Sequence, residues 1–138
     1  AVAMGLAKNP ESTPQGNPKV AIVAAPAPFK TISGLEVPAG DCDLLVRMIS
    51  MGQCHRVLPL TGGLCAGVAC RLEGSTAARN FKRSGDAIRL GTPSGILSVD
   101  AEVLRKADGW HAERASVFRT ARRLMEGCVL IPNFTAAA

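Results

Sequence analysis

The chain has no tyrosine, one tryptophan and only 4% aromatic residues in all. That scarcity argues against the platforms that hold single-stranded nucleic acid, because each base needs an aromatic face to stack on. No stretch of five to eight residues is rich in lysine and arginine, and no nucleic-acid-binding motif is present. No apolar run approaches the roughly 18 residues of a membrane span, and no signal peptide is visible. CxxC pairs are missing too. The five cysteines, at positions 42, 54, 65, 70 and 128, are an odd number outside any disulfide-framework spacing. Cys54-His55 is the only Cys/His adjacency, so no zinc spacing exists. These absences lead us to expect free thiols in a reducing cytoplasm, with no metal, nucleic acid or membrane among the partners. An initiator methionine is also lacking. The opening AVAMGLAKNPES reads as the tail of a helix, so we expect a piece of a longer protein.

What is present suits a folded domain. A length of 138 residues with 47% hydrophobic content is enough for one real core. With so few aromatics, that core has to come from Ala, Val, Leu, Ile and Met. The net charge is +5, and Arg114, Arg119, Arg122 and Arg123 fall within ten residues. Such a balance suits a small polyanionic substrate, and equally a solvated face that one arginine guards.

Along the chain, NPESTPQGNP is turn-forming, and KVAIVAAP (19–26) reads as a buried strand ending at proline. The Pro/Gly-punctuated 27–43 stretch has room for a short edge strand. In 43–52, Leu45, Arg47 and Ile49 share one face and Leu44, Val46, Met48 and Ser50 the other, so a strand is predicted. LCAGVACRL (64–72) reads as a helix whose small residues let a sheet approach closely. Gly67 costs such a helix about 1 kcal/mol relative to alanine, which close packing would offset. Residues 87–104 alternate apolar and polar positions around Gly91-Thr92-Pro93-Ser94-Gly95, the pattern of two strands joined by a sharp turn. The 117–126 segment suits helix or strand. Together these give an α+β fold, mostly strand, with one central helix.

Three places could carry chemistry. At Thr61-Gly62-Gly63-Leu64-Cys65 a flexible turn enters the helix, and the first amides of a helix lack partners and sit at the positive end of its dipole. Glycines before them would let a carboxylate or phosphate reach the backbone. The spacing matches neither a P-loop nor GxGxxG. A plain tight turn into a packed helix is the competing reading, and Cys65 is either a reactive thiol or a small buried one. The second place is Thr92-Pro93-Ser94-Gly95, which could offer hydroxyls and amides to an oxygen-rich ligand or be a simple hairpin turn. At the third, His55 and Arg56 could face the same anion or lie in solvent.

The blocks HRVLPLTGGLCAGVACRLEGS, IRLGTPSGILSVDAEV and ASVFRTARRLMEGCVLIP, with NPKVAIVAAP before them, closely resemble the C-terminal half of the PrpF family. That family comprises 2-methylaconitate cis-trans isomerases, 4-oxalomesaconate tautomerases and 3-methylitaconate isomerases. The resemblance implies a diaminopimelate-epimerase-like fold: two similar domains, each a curved antiparallel sheet wrapped round a central helix. It further implies that 115–120 and 124–131 are strands. Substrate carboxylates would lie at the helix N-termini, held here by Thr61, Gly62, Gly63, Leu64, Cys65, Thr92, Pro93, Ser94 and Gly95. The family's turn reads G-H-P-S-G, with Thr92 in the histidine position here.

The family's proton-transfer Lys and Cys, in motifs resembling S-K-V-A and C-G-N, are not in this chain. Catalytic residues are therefore expected in a missing N-terminal domain, and Cys65 is the one candidate within residues 1–138. The implied activity is a cofactor-independent isomerase of a small unsaturated di- or tricarboxylate, inactive as this chain alone and able to pair as a homodimer. A non-catalytic anion-binding or accessory module, and an amino-acid epimerase-like enzyme, are the alternatives.

Overall fold

A computed structural model describes residues 1–82, 85–118 and 120–131. Its main sheet is built from β1 (Val20–Ala24), β4 (Leu44–Ser50), β6 (Ile88–Thr92), β7 (Gly95–Lys106) and β8 (Gly109–Val117), in that spatial order. A two-residue strand, β5 (Gln53–Cys54), folds back on β4, and β2 (Phe29–Lys30) pairs with β3 (Glu36–Val37) in a separate hairpin. Two helices follow β5: α1 (Leu60–Arg71) and the short α2 (Thr76–Asn80).

Alternation in the strands decides what is inside. Leu44, Val46 and Met48 of β4 are buried, while Leu45, Arg47 and Ile49 point to the other face and are half-buried. Ile88 and Leu90 from β6 and Val99 from β7 complete the inner face, all at 0% exposure together with Leu44 and Val46. Helix α1 packs on this face, burying Gly62, Gly63, Ala66, Gly67 and Cys70. At the far end of α1, Ser75 caps α2: its Oγ accepts from Ala78 N at 3.0 Å and donates to Ala69 O at 2.6 Å.

The fold class is the one expected, α+β with a curled sheet about a central helix, but the sheet is not purely antiparallel. β4 and β6 run parallel over Leu44↔Leu90 and Leu45↔Gly91. So short a parallel pairing is held by Asp43, 1% exposed, whose carboxylate accepts from Arg89 N (2.8 Å), Nε (3.2 Å) and Nη2 (2.9 Å). Asp43 N donates back to Arg89 O at 2.7 Å.

Other differences have local causes. Residues 1–8 hold a 3-10 turn, Val2–Met4, ended by Gly5 at φ 71°, instead of a helix tail. β1 is a strand but not a buried one. Among the described residues it is paired on one side only, and Val20 and Ile22 are 58% and 60% exposed. The 124–131 strand is absent: Leu124, Met125, Val129, Leu130 and Ile131 are 78–91% exposed and meet no strand edge that would supply backbone partners. Of the 115–120 strand, β8 takes the part up to Val117; Arg119 lies outside the described residues.

Candidate functional site

Helix α1 starts four residues earlier than the sequence suggests, and the reason is Pro59. Its φ of −57° and ψ of 140° make it the N-cap, with no side chain capping the first turn. Thr61 is therefore inside the helix rather than in a turn before it. Gly63 N donates to Pro59 O at 2.9 Å and is the first amide with a partner. The amides of Leu60, Thr61 and Gly62 have no acceptor among the described residues. Three unfilled donors at the positive end of a twelve-residue helix are the expected setting for an anion.

The two glycines serve packing, not ligand access. A Cβ on Gly62 would lie 2.6 Å from Met48 Cε, and one on Gly63 would lie 2.7 Å from Leu97 Cδ2. Their bare faces point into the sheet. What they offer outward is backbone alone, and of the two only the Gly62 amide is free.

Opposite this first turn stands the β6–β7 turn, a two-residue connection closed by Thr92↔Gly95. Gly95 has φ 120°, a conformation side-chain-bearing residues rarely adopt, so glycine is required there. Thr92 is only 2% exposed, whereas Ser94 at the tip is exposed. From outside, Ile32 N donates to Pro93 O at 2.8 Å, tying the β2–β3 hairpin to the same turn. Between the helix start and this turn lies a recess of about 100 Å³, lined by Val57, Leu60, Thr92, Ser94, Gly95 and Ile96 among others. Among the described residues, no ionisable side chain lines it. The recess can bind and orient an oxyanion, and the described residues that line it offer no side chain for proton transfer.

The structure brings together Leu60 of the first turn and Thr92, Ser94 and Gly95, with Thr61 exposed on the same turn. Cys65 is not among them. It is exposed one helical turn on, in a separate groove of about 320 Å³ with Lys19, Ala21 and Thr76. Leu64 is half-buried. His55 and Arg56 line a wide concavity on the far side of Val57, so they face a different space. His55 Nε2 is buried there without a partner among the described residues. Arg122 and Arg123 are exposed, and Arg123 pairs with Glu126 at 2.7 Å. Among the described residues, no group of three His, Cys, Asp or Glu could hold a metal, and no helix is long and apolar enough to cross a membrane.

Sequence reasoning missed the apolar wall of Val57, Leu60 and Ile96. Pro59 was the available signal, since proline with its fixed φ commonly stands at a helix start. It moves the first turn back onto Leu60.

These features define an α+β domain whose central helix opens its uncapped first turn onto a small recess that carries the Thr92 and Ser94 hydroxyls. Comparisons with known proteins agree on what kind of domain that is. The family model described as PrpF protein matches residues 1–132. The chain belongs to the PrpF family. It is 38% identical to the 2-methyl-aconitate isomerase of Shewanella oneidensis over 96% of its own length and 34% of that protein's. It is 33% identical to the 3-methylitaconate isomerase of Eubacterium barkeri, over 83% of the chain and 30% of the relative. The crystal structure of methylitaconate-delta-isomerase superposes with a TM-score of 0.74 at 30% identity, covering 91% of this chain and 33% of that one. The chain thus spans about a third of the length of the curated relatives it matches.

Proposed function

We propose that the intact protein is a cofactor-independent isomerase that moves a double bond in a small unsaturated di- or tricarboxylate, and that this chain supplies a carboxylate-binding half of its active site. The observation that carries the reading is the uncapped first turn of α1, whose Leu60, Thr61 and Gly62 amides have no acceptor among the described residues and whose Leu60 shares one recess with Thr92, Ser94 and Gly95. A base outside this chain removes a proton from carbon alpha or vinylogous to a carboxylate. The negative charge spreads onto that carboxylate, and an acid returns a proton at the other end of the allylic system. Preorganised helix amides stabilise such charge without having to reorganise; removing one comparable donor costs about 2.7–4 kcal/mol in other enzymes. In this reading the chain forms most of a second domain, the remaining two thirds of the protein carries the proton-transfer residues, and the free thiols support a cytoplasmic location. The names of the relatives favour a methyl-substituted acid; 4-oxalomesaconate is the alternative substrate.

The test uses the full-length protein in D₂O with 2-methyl-aconitate and 3-methylitaconate. Isomerisation with deuterium entering the allylic carbon, without added metal or cofactor, is the expected result, as is no turnover by the 138-residue chain alone. Turnover that requires an added cofactor, or full activity from the isolated chain, overturns the proposal. Carboxylate binding without turnover by the full-length protein would assign it as a binding module instead.

A further inference from the structure

Thr92 is placed where a ligand contact was expected, yet its hydroxyl is fully engaged within the protein. Thr92 Oγ1 donates to Gly95 O at 2.8 Å. The same oxygen accepts from Ser94 N at 3.3 Å and lies 3.3 Å from Ser94 Oγ. A hydroxyl has one proton, and the shorter contact to Gly95 O takes it. Ser94 Oγ–H is therefore the donor to Thr92. One buried oxygen thus holds the backbone on both sides of Ser94 and also orients the Ser94 hydroxyl. The turn has little other freedom. Ile32 N holds Pro93 O from outside, and Gly91 behind it is packed so closely that a Cβ would meet Leu45 at 2.7 Å and Phe29 at 3.0 Å.

We propose that Thr92 is a positioning residue: it sets the Ser94 hydroxyl to meet the substrate's carboxylate and touches no substrate itself. This rests on the carboxylate-binding reading of the recess. When a carboxylate arrives, the Ser94 proton turns from Thr92 Oγ1 to the charged acceptor, a stronger bond than one between two hydroxyls. The Thr92 bonds to Ser94 N and Gly95 O stay in place. The bond already forms to the ground-state carboxylate, so its loss raises KM; because that carboxylate gains charge as the proton leaves, kcat falls as well.

Four variants of the full-length protein, Thr92→Val, Thr92→Ser, Ser94→Ala and the double Thr92→Val/Ser94→Ala, are assayed for KM and kcat with 2-methyl-aconitate. Ser94→Ala is expected to raise KM about tenfold, the loss of one hydrogen bond to a charged group. Thr92→Val should raise it about three- to tenfold, and by less than about twofold once Ser94 is already alanine, because coupled residues are not additive. Thr92→Ser keeps the hydroxyl and should bring KM back to within about threefold of wild type. If Thr92→Val costs as much in the Ser94→Ala background as alone, Thr92 acts independently and the proposal is wrong. It is equally wrong if Thr92→Ser, which should fold, raises KM as much as Ser94→Ala does. Wild-type KM in Thr92→Val beside a raised KM in Ser94→Ala rejects the positioning role and leaves the site reading standing. Wild-type KM in Ser94→Ala rejects both.

Discussion

Replacing Gly67 by alanine sets two effects of opposite sign against each other. Inside a helix alanine is favoured over glycine by about 1 kcal/mol. Against this, the new Cβ would stand 2.9 Å from Val99 Cγ2, 3.7 Å from Val99 Cβ and 3.8 Å from Ala101 Cβ. Carbon atoms prefer about 3.5–4.0 Å, so roughly 0.6 Å or more has to be made up. Val99 cannot easily supply it. It is β-branched, at 0% exposure, in the middle of β7. The helix has to lift off the sheet, and overpacking of this kind costs about 1–3 kcal/mol. The net expectation is a destabilisation of about 1 kcal/mol.

Gly62→Ala provides the contrast. Its nearest obstacle is Met48 Cε at 2.6 Å, the tip of a flexible side chain that can swing aside, so the propensity gain should leave that variant within about 0.5 kcal/mol of wild type or better. Urea denaturation followed by far-UV circular dichroism measures both. A Val99→Ala background completes the cycle, because without the Cγ atoms Gly67→Ala should become stabilising by up to about 1 kcal/mol. The reasoning is refuted if Gly67→Ala stabilises the wild-type protein, or if Gly62→Ala costs more than Gly67→Ala.

Three further outcomes follow from local structure. Met51 and Gly52 form the β4–β5 turn with φ of 52° and 75°, a conformation in which asparagine fits far better than methionine. Met51→Asn should raise stability by about 0.5–1 kcal/mol, seen as a higher urea midpoint. Burial pushes the Cys70 thiol up to about 11 from 9.0, and Cys42 is raised for the same reason. The folded protein therefore holds the Cys70 proton where the unfolded chain has lost it. Its contribution to stability is fully present below pH 9 and is lost as pH rises towards 11. The urea midpoint should fall over that window, less so in Cys70→Ala. In native protein at pH 8, iodoacetamide should modify the exposed Cys54 and Cys65 and spare Cys42 and Cys70.

Much of this fold was legible because two signals were local. The period-two pattern of 44–50 assigned both faces of β4 correctly, and Gly91 to Gly95 marked the β6–β7 turn. The small residues of 64–72 announced a helix that a sheet could approach closely. What they did not reveal is which side of each glycine faces the protein. Gly62 and Gly63 suit a ligand-facing turn and a packing face equally well, and only the neighbours Met48 and Leu97, distant in sequence, decide for packing. The helix start was misplaced because Thr61-Gly62-Gly63 was read as a turn entering the helix, whereas these residues lie inside it. β1 was taken as buried because an apolar run has the same appearance whether or not its strand lies at the edge of a sheet. The parallel β4–β6 pair depends on Asp43 meeting Arg89 across forty-six residues, a pairing that no local pattern encodes. Residues 124–131 have strand-forming composition but lack a neighbouring edge.

A crystal structure of the full-length protein with a methyl-branched unsaturated tricarboxylate bound tests the central claim most directly. The account predicts carboxylate oxygens about 2.7–3.1 Å from the amide nitrogens of the α1 first turn, Leu60 to Gly62, and from Ser94 Oγ. A ligand seated elsewhere, with those amides turned towards protein carbonyls or water and Ser94 still bonded to Thr92, would contradict it.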